Sequence, residues 1–335
     1  MNFCGIDVSR DQLVVALRVG ERDQPLRTFA NTAAGHQALL RWLLQSPGVV
    51  RVSLEATGVY SLDLALALSV HPRVQLAVLN PKLARRFAES LGERSKNDPI
   101  DAGGLREHAA RMPFVAWQRP TPSALALREI ARQICALTEM RAATRNREQA
   151  ARSSGVSCAC VRQELQRTLR HLQASILRLL RAASQLRAQD AQLERRFQLL
   201  RSLTGIGELS GVQILAEVNL LEGRKVRQWV KHSGLDVREY RSGKAVYHKP
   251  RISKCGNRYL RRALYMPALV AARHNPGLRA FYQHLLGRGK TKLQALVAVM
   301  RKILHAIYGM FRHDRPYDAT CLCPGLVPRP AREVA

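Results

Sequence analysis

The sequence predicts an α/β domain at its amino-terminal end, followed by an all-α region. Up to about residue 115, short apolar segments with strand character alternate with helix signals, which is typical of α/β proteins. Beyond residue 123, apolar residues instead recur every three or four positions over long stretches, which indicates helices. The chain of 335 residues is also longer than one compact core usually requires, so more than one domain is expected.

The first domain is expected to span residues 1–115 and to begin with strands. Two apolar segments, 3–8 and 13–19, are candidate strands joined by a polar turn, and 28–31 is a third candidate. The elements expected after them are a helix at 35–45, a strand at 50–55, a helix at 61–70, a strand at 74–80 and a helix at 80–92. In the last helix, Pro81 suits the first turn, where a missing N–H breaks no helical hydrogen bond.

The middle of the chain, residues 123–200, has the pattern of long amphipathic helices. One apolar seam runs from Leu127 to Leu137, and residues 153–155 interrupt the helix signal. A heptad pattern then extends from 165 to 200, with arginines on its outer face and Asp190 at one seam position. Two antiparallel helices within one chain, or helices from two chains, would both produce it. A helical, coiled-coil and oligomerisation region is therefore expected here.

The last part of the chain predicts a mainly helical domain over 201–312 and a flexible, proline-containing tail over 313–335. Two short helices are expected on either side of Gly205-Ile-Gly207, as in a helix-hairpin-helix turn, although a plain helix–helix turn would look the same. A polar, basic stretch at about 222–258 is expected to be a loop. Further helices are expected at 257–273, 277–286 and 291–311.

Basic residues greatly outnumber acidic ones, with 54 Lys plus Arg against 25 Asp plus Glu and a formal charge of +29. A polyanion relieves such self-repulsion, and nucleic acid is the commonest polyanionic partner. A protein that only packages nucleic acid is the alternative. The amino terminus lacks a signal-peptide pattern and no apolar run reaches about 18 residues, so a cytoplasmic protein without a membrane span is expected.

Seven cysteines at irregular spacing suit reduced thiols in a cytoplasm. The pairs Cys158/Cys160 and Cys321/Cys323 would together supply four thiolates for zinc. Their CxC spacing is not the CxxC spacing of most structural zinc sites, so free thiols are expected.

Four acidic residues stand at positions where a carboxylate needs an explanation. Asp7 lies inside an apolar strand and Glu55 ends another, and burying an ionised carboxylate is costly unless it is paired or binds a cation. A solvated strand end is the alternative for both. Asp98 suits a helix N-cap before Pro99, and Asp101 suits the first helical turn, so an ordinary helix start would also explain this pair. Their i, i+3 spacing nevertheless places both carboxylates on one helical face.

The order of these acids is more informative than any one of them. In a two-metal catalytic site, two divalent ions lie about 3.5–4 Å apart and need several carboxylate ligands. Acids on a first strand, on a later strand and on a following helix would supply these ligands. Oxygen ligands select Mg²⁺ or Mn²⁺ over zinc. The sequence therefore predicts a catalytic metal site formed by Asp7, Glu55, Asp98 and Asp101.

The basic stretch before residue 262 predicts contacts with nucleic acid, since it mixes cations with tyrosines that can stack on bases. Of its three serines, Ser233, Ser242 and Ser253, the second lies in an Arg-Ser-Gly-Lys turn whose cations would stabilise a phosphate. An ordinary turn serine is the alternative. The residues expected to contact nucleic acid are Gly205, Gly207, Arg241, Lys244, Lys249, Arg251, Lys254, Arg258 and Arg261.

Several stretches in order along the chain resemble one family. They read GIDVS, LEATGVY, KNDPIDA, LTGIG, SGK, ISKCGNRYLRRALY, HNPGLRAFY and GRGKTKLQALVAVMRKIL. They resemble the DEDD-type transposases of the Piv invertase and insertion-sequence-one-ten family of bacterial mobile elements. The resemblance implies an RNase H-like, specifically RuvC-like, catalytic domain, a coiled-coil middle and a carboxy-terminal transposase domain.

The resemblance also implies the chemistry and the partners. The DEDD acids would be Asp7, Glu55, Asp98 and Asp101, and the nucleophile that links covalently to DNA would be Ser242. Donor and target DNA, a structured bridge RNA and further copies of the chain, as a dimer or tetramer, would be the partners of a nucleoid-associated enzyme. One departure is that this chain has a single serine before Gly243, where family members often have two. A RuvC-like nuclease or junction resolvase that needs no serine is the alternative.

Overall fold

A computed structural model of the chain describes residues 1–58, 60–92, 97–242 and 246–319, without the side chains of 241–249. The chain divides into two compact units, Met1–Arg119 and Pro120–Ala335. The first unit combines a sheet with helices, whereas the second is almost entirely helical. The prediction of an α/β domain followed by a helical region is therefore confirmed. No helix in the described ranges is long and apolar enough to cross a membrane.

The first unit is built on a six-stranded mixed sheet with the order β3-β2-β1-β5-β6, in which β4 also pairs with β2. Its strands are β1 (Asn2–Val8), β2 (Gln12–Val19), β3 (Arg22–Asp23), β4 (Arg27–Ala30), β5 (Val50–Glu55) and β6 (Val74–Leu79). Its helices are α1 (Ala33–Leu44), α2 (Leu62–Leu68), α3 (Pro81–Ser90) and α4 (Asp98–Arg111). The strand β2 runs antiparallel to β1, whereas β5 is parallel to both β1 and β6.

Helices cover both faces of the two central strands, β1 and β5. On one face, Ile6 and Leu54 belong to a buried apolar cluster with Leu39 of α1 and Leu64 of α2. The opposite face of β1 carries Gly5, and α4 lies directly on it. A Cβ atom at Gly5 would come within 2.0 Å of the Ala102 carbonyl oxygen. Only glycine permits this approach, so Gly5 fixes where α4 crosses the sheet.

The second unit contains nine α-helices and a two-stranded sheet within its described residues. The helices are α5 (Pro122–Ser153), α6 (Ala159–Ala188), α7 (Ala191–Arg201), α8 (Glu208–Val218), α9 (Val226–Ser233), α10 (Arg258–Ala263), α11 (Tyr265–His274), α12 (Pro276–Gly287) and α13 (Lys292–His313), with a 3-10 turn at Asn219–Leu221. The strands are β7 (Val237–Ser242) and β8 (Val246–Ile252).

The long helices α5 and α6 pack against each other within one chain. Ile134 of α5 and Ile176 of α6 are buried in one cluster, and Arg141 donates to Gln173 across the pair. Five residues join the helices, so they run antiparallel. The seam break at Asp190 is a helix boundary, because its carboxylate caps α7 by accepting the N–H groups of residues 192 and 193.

Three sequence expectations are wrong in detail. The basic stretch expected to be a loop contains α9 and the antiparallel hairpin of β7 and β8. The helix expected over 257–273 breaks after Ala263, because Pro267 cannot donate to the carbonyl of Ala263 and its ring clashes there. The N-cap of α4 is Asn97 rather than Asp98, since the Asn97 side chain accepts the N–H of Ile100 at 2.9 Å.

Candidate active site: an acid cluster and a basic hairpin

Two of the predicted acids lie next to each other at one edge of the sheet. Ile6 pairs with Leu54 in the parallel ladder of β1 and β5, so the following residues, Asp7 and Glu55, lie side by side at the carboxyl ends of these strands. Both side chains are half-buried. The alternation of side chains places Asp7 on the same face of β1 as Gly5.

The other two acids come from the first turn of α4. Asn97 caps this helix, and Asp98 and Asp101 follow the cap directly. From Ala102 back to Asp98 the helix rises about 6 Å, and from Gly5 to Asp7 the strand advances by about the same distance. Because α4 contacts Gly5 at Ala102, its first turn reaches the level of Asp7.

The electrostatics of Asp7 show that three further carboxylates lie close enough for their charges to act on it. Burial, and after it the charges of Asp98, Asp101 and Glu55, together raise the pKa of Asp7 from its usual 3.8 to about 6. One hydrogen bond from the Val8 backbone opposes them. Burial and the neighbouring carboxylates together outweigh this donor.

The donor set of this cluster fits a hard divalent cation. All four side chains offer carboxylate oxygens, the ligands that Mg²⁺ and Mn²⁺ prefer. In the described part of the chain, no three His, Cys, Asp or Glu side chains converge closely enough to form a preformed metal site. Asp98 is exposed whereas Asp7 and Asp101 are half-buried, so cation binding would require the side chains to close around the ion.

An ion-pair network holds α4 on the sheet, and the sequence gives no signal for it. Glu107 of α4 is 8% exposed and accepts from Arg18 of β2 at 2.7 Å and from Arg106 at 3.0 Å. Burial alone would raise the pKa of Glu107, but the hydrogen bonds from Arg106 and Arg18 lower it. Asp23 also contacts both arginines. These pairs anchor α4 two turns beyond the acids of its first turn.

The predicted nucleophile Ser242 is the last residue of β7, where its backbone pairs with Val246 of β8. Its side chain lies outside the described atoms, as do those of Arg241 and Lys249, and Lys244 lies outside the described residues altogether. The two other candidate serines have internal partners. Ser233 donates to the Val230 carbonyl at 2.8 Å, and Ser253 donates to Asp236 at 2.5 Å.

A buried polar network fixes the base of this hairpin. Glu217 of α8 is 2% exposed and accepts two hydrogen bonds from Arg132 of α5, at 2.8 and 3.2 Å. The Asn257 side chain donates to Glu217 at 2.5 Å, and its backbone N–H donates to the His232 carbonyl at 2.6 Å. Burial lowers the pKa of His232 to about 4, with Arg224 acting in the same direction. His232 is therefore neutral at neutral pH.

The remaining predicted nucleic-acid contacts fall into two groups. Arg251, Lys254 and Arg258 are exposed, and Arg258 lies over the ring of Tyr259 at 5.0 Å. Arg261 instead donates to the Ser233 carbonyl at 2.9 Å, so part of its guanidinium stabilises the fold.

The Gly205-Ile-Gly207 turn joins α7 to α8, as the sequence predicts. Gly205 has φ of +107° and packs against α11, where a Cβ would lie 2.7 Å from the Pro267 carbonyl oxygen. The Gly207 N–H donates to Ser210 at 3.0 Å. That amide is therefore occupied within the turn.

The thiols of Cys158 and Cys160 are exposed at the start of α6, with their Sγ atoms 2.8 Å apart. Hydrogen bonds from Cys160 lower the pKa of Cys158. Cys321 and Cys323, with which they would form a zinc site, lie outside the described residues.

Two transposase family models match the chain in different places. A DEDD transposase model of the IS110 type matches residues 4–151, a range that includes all four acids. A model described as transposase IS116/IS110/IS902 family matches residues 197–283, a range that includes Ser242. A DEDD transposase domain implies an RNase H-like fold, and the mixed sheet of the first unit agrees with it.

Similar proteins from other bacteria support the same family. Pilin gene-inverting proteins from Moraxella bovis and Moraxella lacunata are 27% and 28% identical over 324 residues, covering 94% of this chain and 97% of each relative. An uncharacterised 43.6 kDa protein of insertion element IS110 from Streptomyces coelicolor is 27% identical over 146 residues, or 40% of this chain and 35% of that protein. The chain belongs to the IS116/IS110/IS902 family of transposases and is a DNA recombinase.

Proposed function

We propose that this transposase cuts and rejoins DNA with two groups, the acid cluster of the first unit and Ser242 of the second. The acids Asp7, Glu55, Asp98 and Asp101 would bind Mg²⁺ or Mn²⁺, and Ser242 would be the nucleophile. The observation that carries the proposal is the pairing of β1 with β5, which brings Asp7 beside Glu55. The charges of Asp98 and Asp101 act on Asp7 as well. An acid whose pKa is shifted by burial and by neighbouring charges is a candidate for a functional site.

The negative charges of the acid cluster do not stabilise the fold, because they disfavour the ionised form of Asp7. The two strand ends provide Asp7 and Glu55, and the capped turn of α4 provides the two remaining acids. When bound, the divalent cation would stabilise the charge that develops on the phosphate oxygens during strand cleavage. Gly5 and the Glu107 ion pairs hold α4 against the sheet, and this contact would keep the acids of its first turn near Asp7.

In the serine half, the Oγ atom of Ser242 would attack a DNA phosphorus atom. An Oγ–P bond forms, the bond from phosphorus to the departing deoxyribose oxygen breaks, and the serine proton ends on that oxygen. Attack by a deoxyribose hydroxyl on the phosphoserine link would reverse these steps and rejoin the strands.

The proposed partners, oligomeric state and reaction rest on the charge of the chain and on its family. The charge of +29 suits both DNA and a structured bridge RNA. The helices α5 and α6, within the proposed coiled-coil region 123–200, would bring copies together as a dimer or tetramer. The turn at Gly205 and Gly207 and the exposed Arg251, Lys254 and Arg258 would contact nucleic acid. Inversion of DNA is the reaction that the names of the Moraxella relatives, pilin gene-inverting proteins, suggest.

The serine is tested by seeking a covalent protein–DNA adduct on duplexes that carry the genomic flanks of the gene. Wild type is expected to form an adduct with Mg²⁺, and Ser242→Ala is expected to lose it while still binding Mg²⁺. Ser253→Ala is the matched control, because it removes the hydroxyl of the residue that directly follows β8. This variant is expected to retain the adduct. An adduct that persists in Ser242→Ala would exclude this serine as the nucleophile.

The acid cluster by itself supports a second function, a RuvC-like nuclease or junction resolvase that hydrolyses DNA with water. This function predicts that Ser242→Ala still cleaves and that Asp7→Asn does not. Its products would be free 3′-hydroxyl and 5′-phosphate ends without attached protein. RNA guidance is tested separately, by sequencing the RNA that co-purifies when the chain is expressed with its genomic flanks.

A further inference from the structure

A cavity of about 490 Å³ opens at the sheet edge where β1 and β5 end. Its lining includes Arg10, three residues beyond Asp7, and Tyr60, five residues beyond Glu55. Asn31, His36 and Asp63 line it from the neighbouring elements α1 and α2 and the loop before α1. Pockets for small ligands measure about 300–1,000 Å³, so the cavity is of a size to hold one nucleotide.

One residue of this cavity ties the two acid-bearing strands together. The Asn31 amide nitrogen donates to the Ser9 carbonyl at 2.8 Å and to the Tyr60 carbonyl at 3.2 Å. These carbonyls belong to the segments that follow Asp7 and Glu55, respectively. The Asn31 amide oxygen lies 2.7 Å from Nε2 of His36, which is 5% exposed. The same hydrogen bonds therefore join the segments that follow Asp7 and Glu55 and form part of the cavity wall.

The lining combines the groups that recognise a nucleotide. The Tyr60 side chain is 44% exposed, and its ring offers a face on which a base can stack. Arg10 is exposed and offers a cation to a phosphate. Asp63 offers a carboxylate to a base amino group. Burial lowers the pKa of His36, so its ring is neutral at neutral pH. Its Nε2–H donates to the Asn31 oxygen, which leaves Nδ1 as an acceptor.

We propose that this cavity binds a single unpaired nucleotide of the DNA strand whose phosphate lies at the acid cluster. The base stacks on Tyr60, its polar edge meets Asp63, and Arg10 contacts the adjoining phosphate. A paired base cannot enter a pocket of this size without leaving its stack, so the cavity selects a strand that is already opened. The proposal rests on the proposed function, because it assumes that the acids act on DNA.

The test uses the full chain and single-stranded oligodeoxynucleotides that carry 5-iododeoxyuridine at one position in turn. After irradiation, peptide mapping is expected to find a cross-link at Tyr60 from one position of the series. Tyr60→Ala is expected to weaken binding of the oligodeoxynucleotide about 5- to 150-fold, the range for loss of one base–aromatic stack, and Tyr60→Phe is expected to restore it. Arg10→Ala is expected to weaken binding more than Arg22→Ala, which removes the same charge from the exposed strand β3.

Each outcome decides for or against the cavity. Unchanged binding by Tyr60→Ala, together with no cross-link to the peptides of residues 9–10, 31–37 or 60–67, would overturn the proposal. A cross-link that forms with oligoribonucleotides of the same sequence and not with DNA would assign the cavity to RNA and would also overturn it. Asp7→Asn separates this result from the proposed function. If that variant still cleaves DNA, the acids fail as catalysts, whereas the binding defect of Tyr60→Ala is measured without any cleavage.

Discussion

Replacing Asp7 with asparagine is expected to stabilise the metal-free protein and to abolish DNA cleavage. Asparagine has nearly the same shape as aspartate, and its side-chain oxygen can still accept the Val8 N–H. It carries no charge, so it removes both the penalty for burying an ionised group and the repulsion from Asp98, Asp101 and Glu55. The same change removes a proposed cation ligand.

The size of the gain follows from the pKa of Asp7, which is about 6 in the folded chain against 3.8 for an ordinary aspartate. At about 1.4 kcal/mol for each tenfold change, the ionised form is disfavoured by about 3 kcal/mol. Asp7 is only half-buried, and water screens part of this energy, so we expect a gain of about 1–3 kcal/mol near pH 7.5.

The pH dependence has a definite sign. Because folding raises the pKa of Asp7, the folded chain holds a proton that the unfolded chain releases between about pH 4 and pH 6. The wild type therefore loses stability as the pH rises through this window, whereas Asp7→Asn loses none from this group. The advantage of the variant should be absent below about pH 4 and complete above about pH 6.

The assay is native-state hydrogen exchange of the β1 and β5 amides in EDTA across this pH range, which reports the stability of the first unit. Glu21→Gln is the matched control, because it removes an exposed acid from the turn between β2 and β3. Adding Mg²⁺ should protect β1 in the wild type and in this control, but not in Asp7→Asn. A variant that is less stable than wild type at every pH would refute the account of mutual repulsion, and equal protection by Mg²⁺ would refute the cation site.

Two further predictions concern the contacts that position each half of the site. Gly5→Ala should lower the stability of the first unit by about 1–3 kcal/mol and reduce DNA cleavage more than tenfold, because its Cβ would displace α4 at Ala102. Gly103→Ala in the same helix meets open space and should instead stabilise α4 by up to about 1 kcal/mol, as urea unfolding would show. Glu217→Gln leaves Arg132 without its carboxylate and should cost about 1–3 kcal/mol, speed hydrogen exchange at the base of the hairpin and slow adduct formation. Unchanged exchange there, with a slower adduct, would show that Glu217 does not act through the hairpin.

Most elements of the first unit are predictable because each carries its own local signal. The strands at Val50–Glu55 and Val74–Leu79 are apolar runs between turn residues, and Asn80 followed by Pro81 marks the start of α3. The hairpin of β7 and β8 lacks such a signal. Its strands, VREYRS and VYHKPRI, are largely polar, and Pro250 argues against a strand, so composition favours a loop.

The candidate site divides in the same way. Asp7 and Glu55 are detectable because a carboxylate in an apolar strand is unusual. Gly5 carries a signal that the sequence interpretation missed, since a glycine inside a strand often marks a close backbone approach. The pair of Glu217 with Arg132 carries no such signal, because its members are separated by 85 residues and meet only through the packing of α5 on α8.

The direction of a pKa shift distinguishes an acid with a functional role from one with a structural role. An acid that stabilises its fold has a lowered pKa, as Glu107 does among its arginines, whereas Asp7 has a raised one. A chain with a charge of +29 has cations in excess, yet carboxylates dominate the surroundings of Asp7. A bound divalent cation would reverse the repulsion that Asp7 experiences and make this acid stabilising. The acid that destabilises the metal-free fold should therefore be one through which a cation stabilises it.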